Sequence, residues 1–188
     1  MHRRDLLAGL AALSLAARAE GDRDIAARLA LGGVVIAFRH ALAPGTYDPP
    51  GFRLDDCSTQ RNLDAEGRAQ AQRIGDWFRS RSLVPAAVRS SPWCRCLDTA
   101  RLAFGRVDRW PALGSPRLHA ETTNDASLAE LRRGLVEAAA RRGRFEAWVS
   151  HQFVLTALVG GGVASGEGLL LEAGGDGAPR LLGRLAIG

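Results

Sequence analysis

Gly33-Val34-Val35-Ile36-Ala37-Phe38-Arg39-His40 is an apolar run that ends in a guanidinium and an imidazole. An almost continuous apolar run of this length is the pattern of a strand covered on both faces. The spacing predicts a strand over 33–39 with Arg39 and His40 at its carboxyl end. Arginine grips a phosphoryl group with a planar fork of donors. An imidazole beside it can attack phosphorus or move a proton. The dipeptide alone is common by chance, so its meaning depends on what the rest of the chain brings to the same place.

Working outward, strand-like and helix-like segments alternate. A long loop with Pro44-Gly45 and Pro49-Pro50-Gly51 follows His40, and loops of that length in compact domains usually carry function or move. A helix is predicted over 65–82, capped by Asp64, and Pro85 separates it from a short strand over 86–90. Ser91 reads as the cap of a helix beginning at Pro92 and stopped by Gly105. After an irregular segment, 106–124, a helix is predicted over about 127–142 from the capping box Ser127-Leu128-Ala129-Glu130. Residues 145–150 form a strand that ends at His151, followed by an apolar helix over 152–159. Two further strand-like pieces, 168–172 and 181–187, flank a glycine-rich turn. The expected fold is α/β, a three-layer α/β/α sandwich with a mostly parallel central sheet. Ligands of such sheets collect beyond the carboxyl ends of the strands. Three of the predicted strands end in Arg39-His40, Ser90-Ser91 and Ser150-His151.

Composition narrows the chemistry. At 188 residues the chain fits one domain with a core of its own. All 25 basic residues are arginine, which excludes a P-loop lysine, a lysine Schiff base and a Ser-Lys nucleophile. The arginines are scattered and few aromatics are interleaved with them, so no nucleic-acid partner is expected. Residues 1–19 read as a cleaved export signal. Arg3-Arg4 resembles a twin-arginine pair, residues 6–17 are rich in Leu, Ala and Gly, and Ala17-Arg18-Ala19 offers the small residues a signal peptidase reads. The apolar stretch is too short for a comfortable membrane span, so none is expected in the mature chain. The single domain is then 20–188, exported and most simply periplasmic. Cleavage removes three arginines and Asp5, lowering the net charge from +5 to +3. Three histidines remain, His40, His119 and His151. The three cysteines, Cys57, Cys94 and Cys96, suit an oxidising compartment. Cys94 and Cys96 point to different sides of one helix, so the expected bridge joins Cys57 to one of them. Their spacing is not that of a zinc site, and no metal or other cofactor is expected.

The second motif is Ser90-Ser91-Pro92-Trp93-Cys94-Arg95-Cys96-Leu97-Asp98-Thr99-Ala100, with Arg95 in the first turn of its helix, where unpaired N–H groups favour anions. With Phe38-Arg39-His40 and Val149-Ser150-His151, in this order and spacing, the chain resembles the histidine phosphatase superfamily, the phosphoglycerate-mutase-like proteins. The resemblance implies that His40 is the nucleophile, forming a phosphohistidine, and that Arg39, Arg95 and His151 bind the phosphoryl oxygens and stabilise the transition state. It implies a metal-independent phosphomonoester hydrolase acting on a small phosphorylated substrate; for an exported enzyme, an envelope sugar phosphate would suit. A catalytically silent ligand- or partner-binding member and a phosphomutase are the alternatives.

The sequence departs from the family pattern in three places. Ala41 stands where the family usually has glycine. Gln152 follows His151, so the His-Asp signature of the phytase-like branch is missing, and the glutamate motif of the mutase-like branch is not recognisable. The acid for the leaving group is therefore sought in the irregular segment, with Glu121 and Asp125 as candidates and His119 as a third. Arg61 could face phosphate, though a surface role is the simpler reading; Trp77, Phe78 and Trp148 read as core, and Trp93 and Trp110 as candidates for lining a pocket.

Overall fold

The computed structural model describes residues 21–115 and 124–187. A helix, α1 (21–31), leads into β1 (Val34–Arg39). The chain continues through α2 (Ala65–Arg79), β2 (Ala87–Ser90), α3 (Cys94–Phe104), the two-residue β3 (Asp108–Arg109), α4 (Asp125–Ala139), β4 (Phe145–Ser150) and α5 (Gln152–Val159). It ends in the hairpin of β5 (Gly168–Ala173) and β6 (Pro179–Leu185). One six-stranded sheet has the order β3-β2-β4-β1-β5-β6. The pairings from β3 to β1 are parallel, and β5 and β6 join antiparallel at the other side. The α/β sandwich with a mostly parallel sheet is the fold expected.

The period-2 alternation of each strand splits the core into two layers. Val34, Ile36 and Phe38 of β1, with Val88, Phe145, Ala147 and Val149, pack under α1, α2 and α3. Val35 and Ala37, with Trp148, Leu169 and Leu171, pack under α4 and α5. An apolar residue at every position from Val34 to Phe38 is therefore required, because both faces of β1 are covered.

Helix starts depart from the sequence reading in two places, and α2 and α4 each end three residues before the predicted bound. Ser91 is not the cap of α3: the helix begins at Cys94, Trp93 is its N-cap, and Ser91 is left one turn outside, with its hydroxyl free for another partner. α4 begins at Asp125 rather than 127, because the Asn124 side chain accepts from the Ser127 N–H in place of the expected capping box. The cap of α2 is Asp64, as read, accepting from Gly67 N. Gly67 also lets the chain after His40 lie directly on α2; a Cβ there would meet Leu42 O at 1.9 Å.

Two expectations concern residues that are not described. The export signal over 1–19 lies outside the described residues, as do Glu121 and His119. Among the described residues no helix is long and apolar enough to cross a membrane.

Candidate active site

The three parallel strands β2, β4 and β1 lie side by side and end in register. Arg39 pairs with Ser150, and Ser90 with Val149. One residue beyond the strands the backbone ladder continues: His40 N–H donates to Ser150 O, and Ser91 N–H to Val149 O, both at 2.9 Å. These bonds bring His40, Ser91 and His151 to one rim, buried, with the His40 and His151 rings 5.6 Å apart and edge to face.

Each histidine has a defined orientation. The Nδ1 of His40 lies 2.7 Å from Ala41 O. A carbonyl only accepts, so Nδ1 carries the proton and Nε2 keeps its lone pair. Burial, then Arg95, with Arg61 and Arg39 adding to it against the Ala41 contact, pushes His40 from the ordinary 6.5 down to about 3. The ring is neutral and nucleophilic at pH 7. His151 is held well below 6.5, by burial first and then by Arg95, His40, Arg61 and Arg39. Its Nε2 meets Ser91 Oγ at 2.7 Å, its Nδ1 meets Arg95 Nη2 at 3.4 Å, and Trp93 packs across it with ring centres 5.2 Å apart. Ala41 is accommodated: it is fully buried and its N–H donates to Thr99 Oγ1, which in turn donates to Arg95 O.

Three guanidiniums surround the histidines. Arg39 donates from Nη1 to Val163 O at 2.8 Å. Arg95, the second residue of α3, donates from Nη1 to both carboxylate oxygens of Asp48 at 2.8 and 3.1 Å, with both side chains under a tenth exposed. Arg61 donates to Ala43 O. Burial and the neighbouring Arg95 lower Arg61 to about 10 and also lower Arg39. The Nε–H groups of Arg39, Arg61 and Arg95 are all buried without a hydrogen-bond partner. Buried donors of that kind are rare and costly unless a ligand takes them. One carboxylate among three guanidiniums leaves an excess of two positive charges, the charge of a phosphoryl dianion.

The structure thus brings together His40, Arg39, Arg95 and His151, the four residues named from the sequence. Arg61 belongs with them and is not a surface arginine. Asp125 is exposed at the start of α4 and makes no hydrogen bond or ion pair with any of the four. Asp48, which the sequence reading missed, is the carboxylate at the rim. It sits in a Pro/Gly-rich loop with no periodicity to mark it, and besides Arg95 it accepts from Arg61 N–H at 2.9 Å and from the Trp93 indole N–H at 3.0 Å. Trp93 is buried against this pair and His151, whereas Trp110 stacks edge to face on Trp148, 5.0 Å away, and joins the core. The bridge is Cys57–Cys94, tying the loop after His40 to the start of α3, and Cys96 is the free thiol. Burial raises Cys96 to about 12, so it is a neutral thiol beside His151. Among the described residues no cluster of three or more His, Cys, Asp or Glu could hold a metal.

A family model described as the histidine phosphatase superfamily (branch 1) matches residues 56–151, just over half of the chain. The match includes Arg95 and His151 and begins after Arg39-His40. No curated protein matches significantly. Solved structures do. One described as the phosphohistidine phosphatase SixA of Agrobacterium tumefaciens is 24% identical, with TM-score 0.55, over 82% of this chain and 98% of that one. A protein histidine phosphatase SixA complexed with tungstate is 15% identical, TM-score 0.55, over 81% and 96%. A phosphoserine phosphatase mutant from Entamoeba histolytica in complex with phosphoserine is 16% identical, TM-score 0.59, over 80% and 95%. At these identities the likeness is one of fold.

Proposed function

This chain belongs to the histidine phosphatase superfamily, and from that premise we propose that it is a metal-independent phosphomonoester hydrolase working through a phosphohistidine on His40. The observation that carries the proposal is the rim itself. A neutral imidazole, its Nε2 lone pair fixed by the Nδ1–Ala41 contact, stands among three guanidiniums with unpartnered Nε–H groups.

In the first step His40 Nε2 attacks phosphorus, the bond from phosphorus to the ester oxygen breaks, and the leaving oxygen takes a proton. In the second, water attacks the phosphorus of the phosphohistidine, the P–N bond breaks, and phosphate and neutral His40 are released. Arg39, Arg95 and His151 hold the equatorial oxygens, and Arg61 adds to the field around them. Fixed cations of this kind act on charge already placed in the ground state and spread further in the transition state. The leaving-group proton is assigned to the segment before α4, where Glu121 is the carboxyl candidate.

Export belongs to the same proposal. The twin-arginine-like leader and the Cys57–Cys94 bridge both suit an oxidising compartment outside the cytoplasm. A small phosphorylated compound of the envelope, such as a sugar phosphate, is the substrate class that location favours.

The test is hydrolysis of an aryl phosphate, with chelator present, by the chain from Glu20 onward. His40→Ala should lose at least about 10³-fold in kcat, as loss of a nucleophile does, while the wild type yields acid-labile phosphate on His40 in a rapid quench. Wild-type turnover surviving in His40→Ala sinks the mechanism.

A further inference from the structure

Ser91 is fully buried and lies between the two halves of the site, yet nothing in the reaction above uses it. Its Oγ is 2.7 Å from His151 Nε2 and accepts from the Trp93 N–H at 3.3 Å. A serine hydroxyl has one proton to give. The Trp93 N–H can only donate to it, and the direction of its contact with His151 is set at the other ring nitrogen, Nδ1. Towards His151, Ser91 Oγ is an acceptor.

Arg95 Nη2 stands 3.4 Å from His151 Nδ1, and a guanidinium has no lone pair to offer. A proton on Nδ1 would set two donors against each other. We propose that Ser91 is a positioning residue that locks His151 in the Nε2–H tautomer, so that the ring can gain a proton only at Nδ1, on the Arg95 side, when an oxyanion binds. This inference rests on the phosphate-binding reading of the rim.

The charges facing His151 give the direction. Arg95 and the neutral Cys96 thiol come from α3, Arg39 and neutral His40 from the end of β1, and Arg61 and Asp48 from the loop before α2. The cations outnumber the carboxylate, and with burial they keep the free ring neutral. A dianion among the same guanidiniums reverses the field at Nδ1 and supplies an acceptor for a new N–H. Binding and protonation are then linked, so the oxyanion enters with a proton. The imidazolium so formed donates to the phosphoryl group from Nδ1, while Ser91 accepts from Nε2.

The probe is tungstate, a dianion throughout the neutral and alkaline range, so its own ionisation does not enter the count. Titration calorimetry at pH 7.5 in two buffers of different ionisation heat should show close to one proton taken up per tungstate bound. Nitrogen-15 spectra of the free protein should show His151 protonated at Nε2 and bare at Nδ1. Ser91→Ala removes an acceptor that favours the imidazolium. It should weaken tungstate about tenfold, reduce the proton uptake and move the alkaline limb of kcat, which reports the bound state, to lower pH, with Ser91→Thr restoring all three. Zero proton uptake, the opposite tautomer, or a folded Ser91→Ala with an unchanged pH profile overturns the inference. The spectra keep it open to refutation even if Ser91→Ala does not fold. Tungstate bound with a proton by a protein that never turns over a phosphomonoester would instead overturn the phosphatase reading and leave this one standing.

Discussion

β4 carries a buried polar cluster near each end, and the two are built in opposite ways. Near its start, Glu146 is almost wholly buried and both of its oxygens are partnered. Arg141 donates to Oε1 at 2.8 Å, the Trp148 indole N–H to Oε2 at 3.0 Å, and Arg89 Nε lies 3.3 Å from Oε2. Both arginines reach water, and Arg89 also lies over the Trp110 ring at 4.8 Å. At the other end, beyond Ser150, cations are in excess and three Nε–H groups have no partner. A satisfied cluster holds the sheet together. One left short of acceptors stores affinity for an anion at the expense of stability.

Substitutions at the two ends should therefore have opposite effects. Arg39→Gln at the rim should lower kcat/KM by about 10²–10³-fold, the cost of one positioned charge donor. Its thermal midpoint should stay or rise, because burial desolvates the Arg39 charge and Arg95 repels it. A clear fall in the midpoint would mean that the rim arginines stabilise the fold, and the contrast would be lost. Glu146→Ala should do the reverse. It strands the Trp148 N–H and frees two arginines that can turn to water, costing about 2–3 kcal/mol in urea unfolding, with KM and kcat unchanged.

The smallest effect is with pH. His40 is neutral when folded, with its pKa near 3, and titrates near 6.5 when unfolded. Between those values the unfolded chain binds the extra proton, so stability rises with pH in that window and is lost on acidification through 6.5. Each unit is worth about 1.4 kcal/mol, so the loss attributable to His40 is about 2 kcal/mol by pH 5. The difference in pH slope between wild type and His40→Gln measures it, and equal slopes would place His40 in an unperturbed environment.

The strands other than the two-residue β3, which falls in the segment read as irregular, were legible because their signal is local. β1, β4 and α5 fall where the apolar runs and the punctuation at Gly33 and Gly143 put them. The four motif residues were legible for the same reason: each sits at the end of a strand or in the first turn of a helix. Asp48, Arg61 and Glu146 were not. Asp48 and Arg61 come from a loop without periodicity, and Glu146 stands inside a strand whose pattern predicts apolar burial. Their roles come from partners far off in the chain, Arg95 for the first and Arg89 for the last. Ser91 reads as a helix cap in the sequence because Ser-Pro before a helix usually is one. The helix instead starts two residues later and gives the hydroxyl to His151, 60 positions away.

The amino-acid sequence by itself determined the layers of this protein, the alternation of strands and helices, and the family to which the chain belongs. These depend on periodicity, caps and short motifs, which act over a few residues. Only the tertiary structure decided the electrostatics of the rim: which nitrogen of each histidine holds the proton, which carboxylate Arg95 grips, which cysteine Cys57 bridges, and which arginines are left with donors to spare. Those depend on distances between segments brought together by folding. A hydrogen bond or an ion pair is made or lost within an ångström, a scale on which a pattern along the chain carries no information.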